Sequence, residues 1–159
     1  MVHSAEFGEP MSIGAVSWEP VQGMGDMVTF DSFTIDMGLC GTDALEPLFD
    51  LNYISGTRTR VFERTSSFSL NAVCPWTTIV LDTPYYYDPA SGNLLIEVNW
   101  PNGDSQIYTF DFPTENASMV SGAWGDGAGY LFTQAPHMLL EGDFSMEQST
   151  FAGIKATFR

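Results

Sequence analysis

The chain has 159 residues, of which 44% are apolar and 14% aromatic, and this is enough material for one packed domain. Twenty Asp and Glu residues face five Lys and Arg residues, so the formal net charge at pH 7 is -15. Such a chain repels nucleic-acid phosphates and anionic membrane surfaces, which excludes both as partners. Insertion into a membrane is also excluded, because no segment approaches the ~20 apolar residues of a spanning helix.

Short β-strands are predicted along the whole chain. Runs of β-branched and aromatic residues are separated by Gly, Pro, Asn or Asp about every ten residues. The predicted strands are 15–18, 28–37, 57–63, 76–81, 94–100, 106–112, 119–124, 130–133, 137–140, 144–148 and 153–158. In the second strand, Val28 and Phe30 are out of phase with the apolar residues that follow. A bend near Asp31 and Ser32 would keep both sets inside the fold.

These strands predict an all-β fold, an antiparallel β-sandwich of jelly-roll-like type with about 9–11 strands. Residues 1–14 are interpreted as an N-terminal arm or a first edge strand, and residues 15–159 as a single sandwich domain. Helix signals are confined to one capped turn at 42–46. The pair Asn102 and Gly103 predicts a β-hairpin over 94–112, because both residues adopt the positive φ of a tight turn.

Two cysteines, Cys40 and Cys74, are too isolated from histidines and from each other to form a zinc motif. In an oxidising compartment we expect them to form a disulfide, and the alternative is two buried thiols. Residues 1–14 lack the basic and apolar regions of a signal peptide, so a secreted protein would be represented here by its mature form.

Catalytic residues are not predicted, and the chain is interpreted as a non-enzyme. The two histidines, His3 and His137, lie in no motif that places a base beside a nucleophile. A pair of glycosidase carboxylates is available in any acidic β-sandwich, so the number of acids does not indicate that activity.

Two groups of residues are candidates for ligand binding. Asp88 and Asp126 lie in predicted loops, where we expect turn residues that bond their own backbone. The alternative is that they bind a calcium ion, the one cofactor that the sequence suggests. The aromatic residues Tyr85, Tyr86, Tyr87 and Trp124 could stack on sugar rings. Three consecutive tyrosines in a strand cannot all be exposed, so at least one should face the core.

The segment 81–98, LDTPYYYDPASGNLLIEV, resembles the signature of a group of secreted bacterial β-sandwich domains. In that group a strand ends in a Pro-aromatic pair, a Tyr-Asp turn follows, and Gly/Ser-Asn-Leu-Leu opens the next strand. Weaker similarity to the same group lies at 4–8, 13–18, 33–38 and 60–62. Such domains occur in exported surface proteins with C-terminal sorting or anchoring signals, so the resemblance implies a cell-surface or matrix role without an assigned activity. This chain departs from the pattern because further strands, and no sorting tail, follow residue 98.

We therefore expect a secreted, non-catalytic structural or adhesive module whose partners are other copies of itself or surface and matrix components. Its terminal strands, 1–14 and 153–158, could pair with neighbouring subunits in a filament or surface layer, and the alternative is that both ends pack within their own sandwich. The alternative is a carbohydrate-binding β-sandwich module that binds glycans and contains a structural calcium ion.

Overall fold

The structure, a computed structural model, describes residues 1–21, 27–71, 75–101, 109, 111–122 and 127–144, with the backbone alone for 111–113 and 144. The predicted all-β class is confirmed, and every strand pairing among the described residues is antiparallel. The strands are β1 (Met11–Trp18), β2 (Val28–Phe30), β3 (Phe33–Cys40), β4 (Thr59–Arg64), β5 (Phe68–Leu70), β6 (Thr77–Tyr87), β7 (Asn93–Asn99), β8 (Asp111–Pro113), β9 (Met119–Ser121), β10 (Tyr130–Phe132), β11 (Gln134–Pro136) and β12 (Met138–Phe144). Short 3-10 helices lie at Ser4–Glu6, Phe49–Asn52 and Pro89–Ser91.

Two three-stranded sheets contribute most of the core. Sheet I has the order β12-β1-β6, and sheet II has the order β4-β3-β7. Three two-stranded ribbons, β2-β5, β8-β11 and β9-β10, complete the described pairings. Side chains on alternate positions of both sheets pack into one hydrophobic cluster, as the period of a strand requires. Its largest fully buried members are Tyr87, Phe30, Ile13, Ile35, Met37, Leu94, Val16 and Val61.

The N-terminal residues pair within their own chain. Residues 11–14, predicted as part of an arm or edge strand, belong to β1, which is the middle strand of sheet I between β12 and β6. Val2 forms bridges to both Leu94 and Ala117 and so joins β7 to the segment before β9. Phe7 packs edge-on against Tyr87, with ring centroids 4.6 Å apart. The C-terminal strand predicted at 153–158 lies outside the described residues, as does the one at 144–148 apart from residue 144.

The predicted bend between two out-of-phase apolar sets is confirmed: β2 ends at Phe30, β3 begins at Phe33, and both phenylalanines are buried. The helical turn predicted at 42–46 is not formed, because this segment contains bends. The nearest helical turn begins three residues further on, at Phe49. Two short strands, β5 and β11, were not predicted. Residues 102–108 and 110 of the predicted 94–112 hairpin lie outside the described part. The last two residues of that hairpin, 111 and 112, belong to β8, which pairs with β11.

The segment 81–98 forms the corner between the two sheets. The end of β6 leads into the 3-10 helix Pro89–Ser91, where Asp88 Oδ1 accepts a hydrogen bond from the Ala90 N–H (2.9 Å). Gly92 follows with a φ of 134°, and its carbonyl accepts a hydrogen bond from the hydroxyl of Tyr87 (2.8 Å). Burial raises the pKa of that hydroxyl to about 12. The motif therefore carries the chain from sheet I to sheet II and fixes the start of β7.

Replacing Gly92 should cost more stability than replacing Gly56, although both glycines have positive φ. A Cβ at position 92 would lie 2.7 Å from the Cys40 carbonyl oxygen, whereas one at position 56 would have no neighbour within 4 Å. We expect Gly56→Ala to lower the free energy of unfolding by about 1 kcal/mol and Gly92→Ala by about 3 kcal/mol in urea denaturation. Equal losses would show that the corner tolerates a side chain.

Candidate functional site

The outer face of sheet II is polar, because side chains alternate across its central strand. In β3, Phe33, Ile35 and Met37 point into the core, and the residues between them point away from it. One of these is Asp36, a carboxylate that is almost completely buried. Across the strands, Asp36 lies opposite Arg60 of β4 and Glu97 of β7. The register of sheet II therefore places charged residues of all three strands side by side.

Two arginines compensate the buried charge of Asp36. Arg60 donates from Nε to Oδ1 (2.5 Å) and from Nη2 to Oδ2 (3.2 Å), and Arg58 Nη2 donates to Oδ2 (3.3 Å). The hydrogen bond to Asp36 is the main reason why the pKa of Arg60 is raised above its ordinary value. Such pairing is required, because an unpaired charge out of water costs several kcal/mol.

Glu97 continues this network towards solvent. It accepts hydrogen bonds from Arg58 (2.7 Å), from the Tyr53 hydroxyl (2.9 Å) and from the Asn99 amide (2.8 Å). Burial and the neighbouring Glu97 carboxylate raise the pKa of Tyr53. The guanidinium of Arg58 lies 5.0 Å from the centroid of the Tyr53 ring, and its pKa is raised because the nearby acids outweigh the effect of burial.

The close approach of Tyr53 to the sheet depends on a glycine. A Cβ at Gly38 would come within 2.7 Å of the Tyr53 ring, so a larger residue would displace the tyrosine from the outer face. In the part of the chain that the structure describes, every buried side-chain nitrogen or oxygen has a hydrogen-bond partner. The side chains of the network are therefore held in fixed orientations.

A groove of about 1640 Å³ opens over this network. Tyr53, Arg58, Arg60, Glu97 and Asn99 line it, while Asp36 lies beneath the arginines. Further lining comes from the 3-10 helix that begins at Phe49, from β9, and from apolar residues such as Trp18, Phe30 and Phe33. The cavity therefore extends beyond the polar network.

Each arginine of the groove pairs with at least one acid. Arg58 pairs with Asp36, Asp50 and Glu97; Arg60 pairs with Asp36 and Glu63; Arg64 pairs with Asp82. Five carboxylates thus surround three guanidinium groups. This surface has no net positive charge that would attract an anion, and it favours a neutral, hydrogen-bonding ligand.

The predicted aromatic residues take different positions. Tyr87 is fully buried, Tyr85 is half-buried against the core, and Tyr86 is exposed, so the expectation that at least one tyrosine faces the core is confirmed. The alternation of β6 separates Tyr86 from its two neighbours. Trp124 lies outside the described residues.

Only one of the two predicted calcium ligands, Asp88, lies in the described part of the chain. Asp88 caps the 3-10 helix at the sheet corner, so its side chain bonds to nearby backbone as a turn residue does. Asp126 lies outside the described residues. Among the residues that are described, there is no group of three or more His, Cys, Asp or Glu arranged to hold a metal ion.

The predicted disulfide is not found. Cys40 is a buried free thiol whose Sγ donates to the carbonyl oxygen of Thr42 (3.4 Å), and Cys74 lies outside the described residues. His137 contacts the Glu19 carboxylate through Nδ1 (2.5 Å) and packs edge-on against Trp76. The backbone N–H of His3 donates to the Asn116 carbonyl (2.9 Å).

Sequence reasoning did not identify the groove residues as a site. A signal was present, because Asp36 and Glu97 occupy the outward-facing positions of two strongly alternating strands and three of the five basic residues lie between positions 58 and 64. Comparison with protein-family models, curated proteins and solved structures finds no match to this chain. No helix within the described ranges is long and apolar enough to cross a membrane.

Removing the charge of Asp36 should destabilise the fold far more than removing that of Asp50. The Asp36 side chain is 4% exposed between two arginines, whereas Asp50 is 89% exposed and pairs with Arg58 alone. We expect Asp36→Asn to lower the free energy of unfolding by about 3 kcal/mol, and Asp50→Asn by about 0.5 kcal/mol or less. Urea denaturation measures both, and similar losses would contradict a buried, paired role for Asp36.

Proposed function

We propose that this chain is a non-catalytic extracellular adhesive module that binds a neutral carbohydrate in the groove over sheet II. The observation that carries the proposal is the floor of this groove, where polar side chains with hydrogen bonds to one another line a large open cavity. Sugars present many hydroxyl groups in fixed directions, and carboxylate, amide and guanidinium groups are the side chains that pair with them.

The network supports binding because its side chains are ordered before a ligand arrives. Glu97 is held by three donors, and Arg58 is held by three carboxylates and the Tyr53 ring. A ligand therefore does not have to immobilise these long side chains, which otherwise costs ~0.5–1.5 kcal/mol for each one. The guanidinium groups of Arg58 and Arg60 remain partly exposed and can donate further hydrogen bonds into the groove.

The charge balance supports a neutral glycan. The groove arginines are outnumbered by acids, and the whole chain carries a formal charge of -15. Uronic acids and sulfated sugars would therefore be repelled. The location outside the cell is supported by the resemblance at 81–98 and by the acidic composition.

The hydrogen bonds of Glu97 support a role in recognition. Three donors, from Arg58, Tyr53 and Asn99, hold its carboxylate in place.

The contacts of the N-terminal segment do not favour assembly of this module through that strand. The N-terminal segment uses its backbone groups within its own chain: Val2 and Leu94 exchange two hydrogen bonds (2.8 and 3.0 Å), and the Met1 carbonyl accepts from Ser118 (3.0 Å). These bonds support an arm that stays with its own subunit.

The charge of Glu97 should matter for glycan binding, while that of Glu141 should not. Glu141 lies exposed on β12 of the other sheet and does not line the groove. On an array of plant, microbial and host glycans with physiological calcium, we expect the wild-type chain to bind neutral glycans. Glu97→Gln should weaken this binding about tenfold, since a charge-assisted hydrogen bond contributes ~1.5–3 kcal/mol.

Glu141→Gln is the matched control for the loss of one carboxylate and should bind like the wild type. Repeating the array with chelator tests whether a calcium ion takes part. Silence of the folded wild-type chain across all neutral glycans, or equal binding by Glu97→Gln, would contradict the proposed site.

A further inference from the structure

The ribbon formed by β9 and β10 exposes an unusual amount of apolar surface. Its second strand, β10, consists of Tyr130, Leu131 and Phe132, which are 80%, 52% and 44% exposed. Because successive side chains in a strand point to opposite faces, this strand is exposed on both sides. Its pairing partner is β9, with Leu131 opposite Val120.

A short apolar strand at the edge of a ribbon is a surface that proteins usually protect. Such edges are normally covered, or they carry charges that prevent another strand from pairing with them. In the described part of the chain, β10 pairs with β9 alone and carries no charged residue. Contiguous exposed apolar residues of this kind mark interaction sites.

The distribution of charge indicates which partner can use this edge. Between Ala117 and Pro136 the sequence has one charged side chain, Asp126, although 16% of the whole chain is charged. Two copies of a chain with a formal charge of -15 repel each other over most of their surface. The β9-β10 ribbon is a place where they can approach without bringing carboxylates together.

We propose that the ribbon is an interface at which a second copy of this chain binds, with β10 pairing antiparallel to β10 of the other copy. An antiparallel strand pair can be related by a two-fold axis, so the same edge serves both subunits. The axis passes close to Leu131, the middle residue of β10. Backbone hydrogen bonds supply the pairing, and burial of the three exposed side chains supplies the apolar contribution. The pairing strand β10 does not itself line the proposed glycan groove, although its neighbour β9 does.

Sedimentation equilibrium of the wild-type chain between 1 and 200 µM tests the interface directly. We expect a reversible dimer that becomes tighter between 0.05 and 0.5 M NaCl, because salt screens the repulsion between two acidic copies. Hydrogen exchange at the two ends of this concentration range should show slower exchange of the β10 amides in the concentrated sample.

Leu131→Lys should abolish the dimer, because it places a charge on the pairing edge. Val80→Lys is the matched control, since Val80 is 70% exposed on β6 and the same substitution changes the net charge equally. If association depended on net charge alone, both lysine variants would associate more strongly than the wild type.

Thermal unfolding of both variants shows whether each remains folded. A wild-type chain that is monomeric at 200 µM in 0.5 M NaCl overturns the proposal. So does a dimer that Leu131→Lys leaves intact, or one whose β10 amides exchange at a rate independent of concentration. Glycan binding by a monomer would leave the proposed function standing, so the two proposals fail separately.

Discussion

The need to pair one buried carboxylate organises the functional face of this protein. Asp36 lies at the centre of β3, and its backbone position is fixed because its neighbours Ile35 and Met37 fill the core. The carboxylate cannot reach water, so its charge must be compensated by Arg58 and Arg60. The contacts with Asp50, Glu63 and Glu97 extend from these two arginines.

The side chains of the network cover part of the outer face of sheet II. Arg58 turns towards Glu97 and lies over Tyr53, and Tyr53 in turn covers Gly38. Tyr53 also packs against a second small core on the same face, which forms from Cys40, Leu45 and Leu95. Leu45 and Leu95 line the groove together with the polar network, so the groove has both polar and apolar walls. A groove of this kind on a rigid sheet suits recognition, because the sheet fixes the directions of the groups that line it.

The two proposals combine into one physical picture of adhesion. A single groove that binds a neutral sugar is expected to bind weakly, because each hydrogen bond to ligand replaces one to water. Pairing through the β9-β10 ribbon would place two grooves in one particle. Binding of two grooves to a polymeric glycan raises the effective affinity without any new contact.

The succession of short strands and the bend between Phe30 and Phe33 could be predicted from the sequence, because both follow from the local alternation of apolar and polar residues. The short strands β5 and β11 could not, because three residues carry too little pattern and Pro136 argues against a strand. The groove was also beyond sequence reasoning. Its contacts join residues far apart in the chain, such as Tyr53 and Glu97, and the register of β3 against β4 and β7 decides which side chains meet. The tyrosines are candidate ligand contacts from their residue type alone, yet the alternation of side chains in β6 buries Tyr87 in the core.

Nitrogen-detected NMR of the arginine side chains tests the fixed polar network most directly. If Arg58 and Arg60 are held as described, their guanidinium groups rotate slowly, and their individual N–H signals are resolved and protected from exchange with water. The signals of both residues should also change together when Asp36 is replaced by Asn. Rapidly averaged guanidinium signals, like those of a free arginine, would show that the outer face of sheet II has no fixed network and would contradict this account.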